Sequence, residues 1–118
     1  MKVYNLKFSV PTDIVSIDRS TKWGNPFRIG QSYRGKILTR KEAISSHKNW
    51  LLYSDGGLNL LLNIWELKNK NLGGWCKPLD CHGDLLFYLA NSLNISPGCT
   101  IEKLVEKIKE VIKDEYNN

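Results

Sequence analysis

Hydrophobic residues along this chain switch between two spacings, and the switches mark its elements. Tyr4, Leu6, Phe8 and Val10 alternate with Asn5, Lys7 and Ser9, the period of two that a half-buried strand requires, so a strand is predicted up to Pro11. Ile14-Val15-Ser16-Ile17 is a second β-branched run, and it delivers Asp18-Arg19 to the start of a loop. No period survives in that loop, DRSTKWGNPFRIG, where Gly24-Asn25-Pro26 turns between Trp23 and Phe27 and Pro26 denies the chain a helix. Residues 30–37 read as a flexible connection with extended structure at its end. Thr39 and Glu42 have capping-box spacing, and Ala43, Ile44, His47, Trp50 and Leu51 follow on one face, which predicts a helix over about 40–53. Ser54-Asp55-Gly56-Gly57 stops it. A second amphipathic helix is predicted through Leu58, Leu61, Leu62 and Trp65, ended by Lys68-Asn69-Lys70-Asn71.

The stretch Leu72 to Leu93 then compresses a strand, a polar loop and a helix start into a short span. Its apolar opening, Leu72-Gly73-Gly74-Trp75-Cys76, carries two glycines that leave room for another backbone or a ligand to come close. After Lys77-Pro78-Leu79-Asp80, the residues Cys81, His82 and Asp84 crowd the first turn of a helix whose inner face is Leu85, Leu86, Leu89, Ala90 and Leu93. Ser96-Pro97-Gly98 is a break, and Thr100 caps a last helix with Ile101, Leu104, Val105, Ile108, Val111 and Ile112 inward. The order of strands and helices predicts an α/β fold, a small mixed, partly parallel three- to four-stranded sheet covered by helices. The strand at Leu72 is flanked by helices in sequence and is expected inside the sheet, parallel to a neighbour. Residues 1–95 form the expected single-domain core, with 96–118 a C-terminal helix packed on it or appended to it. Both unusual loops follow strand ends, where open sheets bind ligands, so they are expected to converge on one rim.

Composition narrows this picture only slightly. A chain of 118 residues, 42% hydrophobic and 25% charged, has material for one core and no second domain. The net charge of +5 inclines it toward anionic partners. No apolar run reaches the roughly 18 residues of a membrane span and no signal segment opens the chain, so a cytoplasmic protein is expected. Three cysteines, an odd number, argue against a disulfide framework.

At the two loops the sequence closely resembles an uncharacterised family of phage and bacterial proteins, the domain of unknown function 4326. The shared pattern is STKWGNPF at Ser20 to Phe27, Trp50-Leu51-Leu52, and L-G-x-W-C-K-P-x-x-C-H-G-D from Leu72 to Asp84. The resemblance runs to about Asn91, leaves the last helix as an added tail, and implies a phage setting without implying an activity. Family members often carry Gly where Asp18 stands and Cys where Gly74 stands, which speaks against a metal cluster needing a thiolate at 74.

Four chemistries compete for the loops. Cys76, Cys81 and His82 have the donor atoms of a zinc site, but not the paired CxxC spacing of one; otherwise no cofactor is implied. Cys81 at a helix start is a candidate nucleophile, with His82 and Asp84 beside it, although adjacent side chains rarely face each other. The third option is a shared pocket for a nucleotide or nucleoside-derived anion. There Trp23 and Trp75 would stack on a base, Arg19, Lys22, Arg28 and Lys77 would meet phosphate, Asn25 would read an edge, and Asp18 or Asp84 would serve as acid, base or ribose partner. As an enzyme, such a protein would be a hydrolase acting on a nucleotide or glycosidic bond, with Asp18, His82 or Asp84 as acid or base, or Cys81 as nucleophile. Nucleic-acid binding is the fourth; charge and four tryptophans suit it, but no predicted helix carries a basic stripe. The apolar face of the last helix is compatible with a monomer or a homodimer.

Overall fold

The computed structural model describes residues 2–8, 10–75 and 82–117, with side chains to Lys113. Three short strands, β1 (Val3–Asn5), β2 (Val15–Ser16) and β5 (Leu72–Gly74), form one sheet in the order β1-β5-β2. Both pairings are parallel, with Val3 and Val15 flanking Leu72. As expected, the late strand is central. The mixed character of the fold comes from a separate antiparallel hairpin of β3 (Ser32–Tyr33) and β4 (Lys36–Ile37), inside the stretch read as a flexible connection. Arg34 and Gly35 at its tip both have positive φ, 51° and 80°, the geometry of a type I′ turn.

The central position of β5 explains Gly73. The chain leaves β1 on one edge and must reach β2 on the other, and Leu6 and Ile14, near the two ends of that connection, both pack against β5. A Cβ on Gly73 would lie 2.6 Å from a Leu6 methyl and 2.8 Å from an Ile14 methyl. The close approach read from this glycine is therefore made by the protein's own crossover. The first strand is shorter than its alternation suggested. β5 ends at Gly74, so pairing stops, and Asn5 turns the chain by accepting the Lys7 N–H at 2.9 Å, leaving Phe8 exposed.

Helices α1 (Arg40–Tyr53), α2 (Asp55–Leu61), α3 (His82–Ser92) and α4 (Ile101–Asn117) cover the sheet. The Thr39–Glu42 capping box is formed in both directions, and α1 starts and stops where the pattern placed it. The second helix is interrupted: α2 ends at Leu61, and a 3₁₀ turn, Ile64–Leu67, follows. The break lets Leu61, Ile64 and Leu67 all reach the interior, whereas Trp65 is left partly exposed. α4 adds Leu104 and Ile108 to the same core as Ile17, Leu51 and Leu86, so the last helix is packed on the body of the domain. Each fully buried leucine there contributes roughly 2 kcal/mol.

Candidate functional site

The Asp18–Phe27 loop is built from its own polar side chains. Asp18 accepts from the Ser20 N–H at 3.0 Å and from the Ser20 hydroxyl. Its carbonyl accepts from Thr21 N–H and Oγ1, at 3.0 and 2.9 Å. Gly24 completes the fold-back, because a Cβ there would sit 2.5 Å from the Arg19 Cα and 2.7 Å from the Asp18 carbonyl oxygen. Asn25 then pins the loop to α1 by donating to the Ala43 carbonyl at 3.2 Å, while its Oδ1 accepts the Phe27 N–H at 2.8 Å.

Two bonds join this loop to the later one. Trp75 Nε1 donates to Asp18 Oδ2 at 3.0 Å, and His82 Nε2 donates to the Ile17 carbonyl at 2.7 Å. A carbonyl can only accept, so the second bond places a proton on His82 Nε2. The strand-end loops therefore do meet. Between them and the first turns of α1 lies a cleft of about 60 Å³, lined by Asp18, Arg19, Asn25, Phe27, Arg40 and His82 among others. Since one water needs about 10–15 Å³ on this measure, the cleft has room for a phosphate or a sugar edge, not for a whole nucleotide.

The electrostatics divide sharply with depth. The Asp18 carboxyl is held below the usual carboxylate range, first by the Ser20 hydroxyl and then by the Trp75 indole, so it is ionised at neutral pH. Beneath it, His47 is 0% exposed, and neither ring nitrogen has a hydrogen-bond partner among the described residues. Its ring lies 5.6 Å from that of His82 and 6.3 Å from that of Trp50, centroid to centroid. Burial, with His82 adding to it, pushes the His47 pKa down to about 3. His82 is also lowered, by burial against the opposing bond to Ile17. Both imidazoles are neutral: His82 lines the floor of the cleft, and His47 is packed behind it.

The other sequence candidates are dispersed. Trp23 is 3% exposed and belongs to the core, so it offers no open face to a ligand. Lys22 turns away from the cleft to Glu66, 2.9 Å distant. Arg28 and Asp84 are exposed and lie outside the cleft lining. Cys76, Lys77 and Cys81 lie outside the described residues, and with them most of the expected zinc and nucleophile chemistry. Among the described residues there is no group of three or more His, Cys, Asp or Glu side chains that could hold a metal ion.

Arg40 is what the sequence reading missed. It follows the Thr39 cap directly, and a cation in the first turn opposes the helix dipole. That mismatch was the available signal: an arginine tolerated there has another reason to be there, and it lines the cleft with Arg19.

Fold and cleft together define a small α/β domain with a cleft of mixed polar and apolar lining at the carboxyl ends of parallel strands. Residues 3–92 match the family described as Domain of unknown function (DUF4326), and the chain belongs to that family. It is also 32% identical over 81 residues, covering 67% of this chain and 68% of the relative, to the "Uncharacterized 12.4 kDa protein in nrdA-td intergenic region" of Enterobacteria phage T4. No solved structure matches. The family match contains both loops and stops before α4. Among the described residues, no helix is long and apolar enough to cross a membrane.

Proposed function

We propose that the cleft binds a nucleotide or nucleoside-derived anion, holding it rather than cleaving it. The observation that carries this reading is the meeting of Arg19 and Arg40, from two separate elements, with ionised Asp18 in a cleft of about 60 Å³. Two guanidiniums suit a phosphate, which they grip through planar paired donors. The carboxylate suits a ribose hydroxyl. A planar base has no room inside and would lie on Trp75, which is 59% exposed and tethered at the rim by Asp18. Holding is favoured because the acid–base groups are poorly tuned for hydrolysis. Asp18 is too acidic to be a strong base, and the described Nε2 of His82 is already spent on Ile17.

The test is to denature purified protein and analyse what is released by mass spectrometry, with zinc measured on the same sample. An intact nucleotide, rebinding to the emptied protein and lost with Arg19→Ala or Arg40→Ala, is the expected result. Cleavage products would favour a hydrolase. Stoichiometric zinc without any nucleotide, and no heat of binding with a panel of nucleotides, would overturn the reading.

A further inference from the structure

A second polar surface lies on the far side of α1 from the buried histidines. The hairpin stands beside the exposed face of this helix, and between them run two grooves of about 330 and 400 Å³. Both are lined by Tyr33, Arg34, Ser46 and Asn49, so they are one continuous trench. At one end it is aromatic, with Phe27, Trp50 and Tyr53; at the other it is basic, with Lys36 and Lys41. Tyr53 is 68% exposed at the end of α1, a large aromatic surface that no core contact requires. The Arg34 guanidinium sits 5.3 Å from the Tyr33 ring centre, and Phe27 meets the same ring edge-on at 5.1 Å.

The charge balance here is one-sided. Among the described residues lining the trench, Glu42 is the lone carboxylate. It is already engaged, accepting the Thr39 N–H at 3.1 Å in the capping box and standing 3.8 Å from Lys36. Arg34 adds a conformational argument. The first central position of a type I′ turn favours Asn, Asp or Gly, and arginine at φ 51° costs stability there. From Lys41 to Ser54 the helix side of the trench is about 20 Å long.

We propose that this trench binds a short single-stranded nucleic acid, its bases stacking on Tyr33, Trp50 and Tyr53 and its phosphates running past Arg34, Lys36 and Lys41. Interleaved rings and cations are what such strands need, because every base has a face to stack and every linkage a charge to meet. An acidic peptide would use the cations and leave the rings idle. The trench shares only Phe27 with the cleft lining, and its proposal does not rest on the reading of the cleft.

The test is fluorescence anisotropy with labelled deoxythymidine and uridine oligomers of about ten nucleotides, a length within the range of single-strand sites. Saturable binding is expected, with a logarithmic salt slope of about −2 for three cations. Arg34→Gly combined with Lys36→Ser and Lys41→Ser should weaken binding at least about 10-fold and flatten the slope, and Tyr53→Ala should weaken it about 10-fold without changing the slope. These positions are exposed or only partly buried, and Arg34→Gly suits the turn, so folding is preserved; circular dichroism checks it. Lys103→Ser with Lys109→Ser and Lys113→Ser on α4 removes the same charge elsewhere and should leave affinity within about 2-fold. No saturable binding, equal losses in the two triple variants, or displacement by polyglutamate as effective as by unlabelled oligomer would overturn the proposal.

Discussion

The floor of the cleft, with the buried layer behind it, and the rim obey opposite rules. There, His47 and His82 are ionisable groups kept neutral, one with no hydrogen-bond partner among the described residues and the other locked to a backbone carbonyl. At the rim, Asp18 is kept charged by three donors, and Trp75 lies open above it. The difference is set by water. Without it a charge has nothing to replace hydration, whereas at the rim a few hydrogen bonds suffice. Residues of catalytic type therefore serve architecture below, and at the rim they stay charged and open, as the proposed recognition of an anion requires.

Acid should break the floor first, and by the largest amount. The unfolded chain binds a proton at His47 below about pH 6.5, while the folded chain does so only near pH 3. The unfolded state thus carries more protons between those values, so stability falls as pH falls through that window. The loss is on the order of 3 kcal/mol by pH 4.5 and about 4 kcal/mol by pH 3.5, read from urea midpoints. His82, shifted in the same direction, adds to it. His47→Leu should remove most of the slope; an unchanged slope would show that the floor histidine is not the sensitive group.

Gly24→Ala strikes the junction of the two regions. Its Cβ would meet backbone rather than a movable side chain, so the loop must open. A loss of about 2–3 kcal/mol in thermal unfolding is expected, accompanied by loss of anion binding. Rim changes should separate the two effects. Trp75→Ala is expected to weaken a bound nucleotide about 10-fold in calorimetry while moving stability by no more than about 0.5 kcal/mol. If stability fell by several kcal/mol instead, Trp75 would belong with the floor. The smallest effect is Arg34→Gly, outside the cleft lining, which should raise stability by up to about 1 kcal/mol by relieving the left-handed turn.

Legibility from sequence followed the range of the interactions involved. α1 was readable to the residue because its cap, its stripe and its stop are all local. The alternation from Tyr4 to Val10 overstated β1, because a pattern says which residues can face a core but not whether a partner strand is there to pair. The break after α2 depended on three side chains competing for the same interior. The loop with Asp18 was visible as chemically unusual, whereas Arg40 looked like an ordinary helix residue. Basic residues formed no stripe on any one helix, and the trench joins cations from a hairpin and a helix.

By itself, then, the sequence determined the helices with local signals, the central parallel strand and the two loops worth watching, since spacing and turn chemistry act over a few residues. Only tertiary structure decided that Trp23 lies inside, that His47 meets His82 there, that Trp75 lies open, and that Arg19 and Arg40 share a cleft. Those outcomes depend on which distant surfaces exclude water from one another, and β5 pairing with both β1 and β2 is what brings those surfaces together.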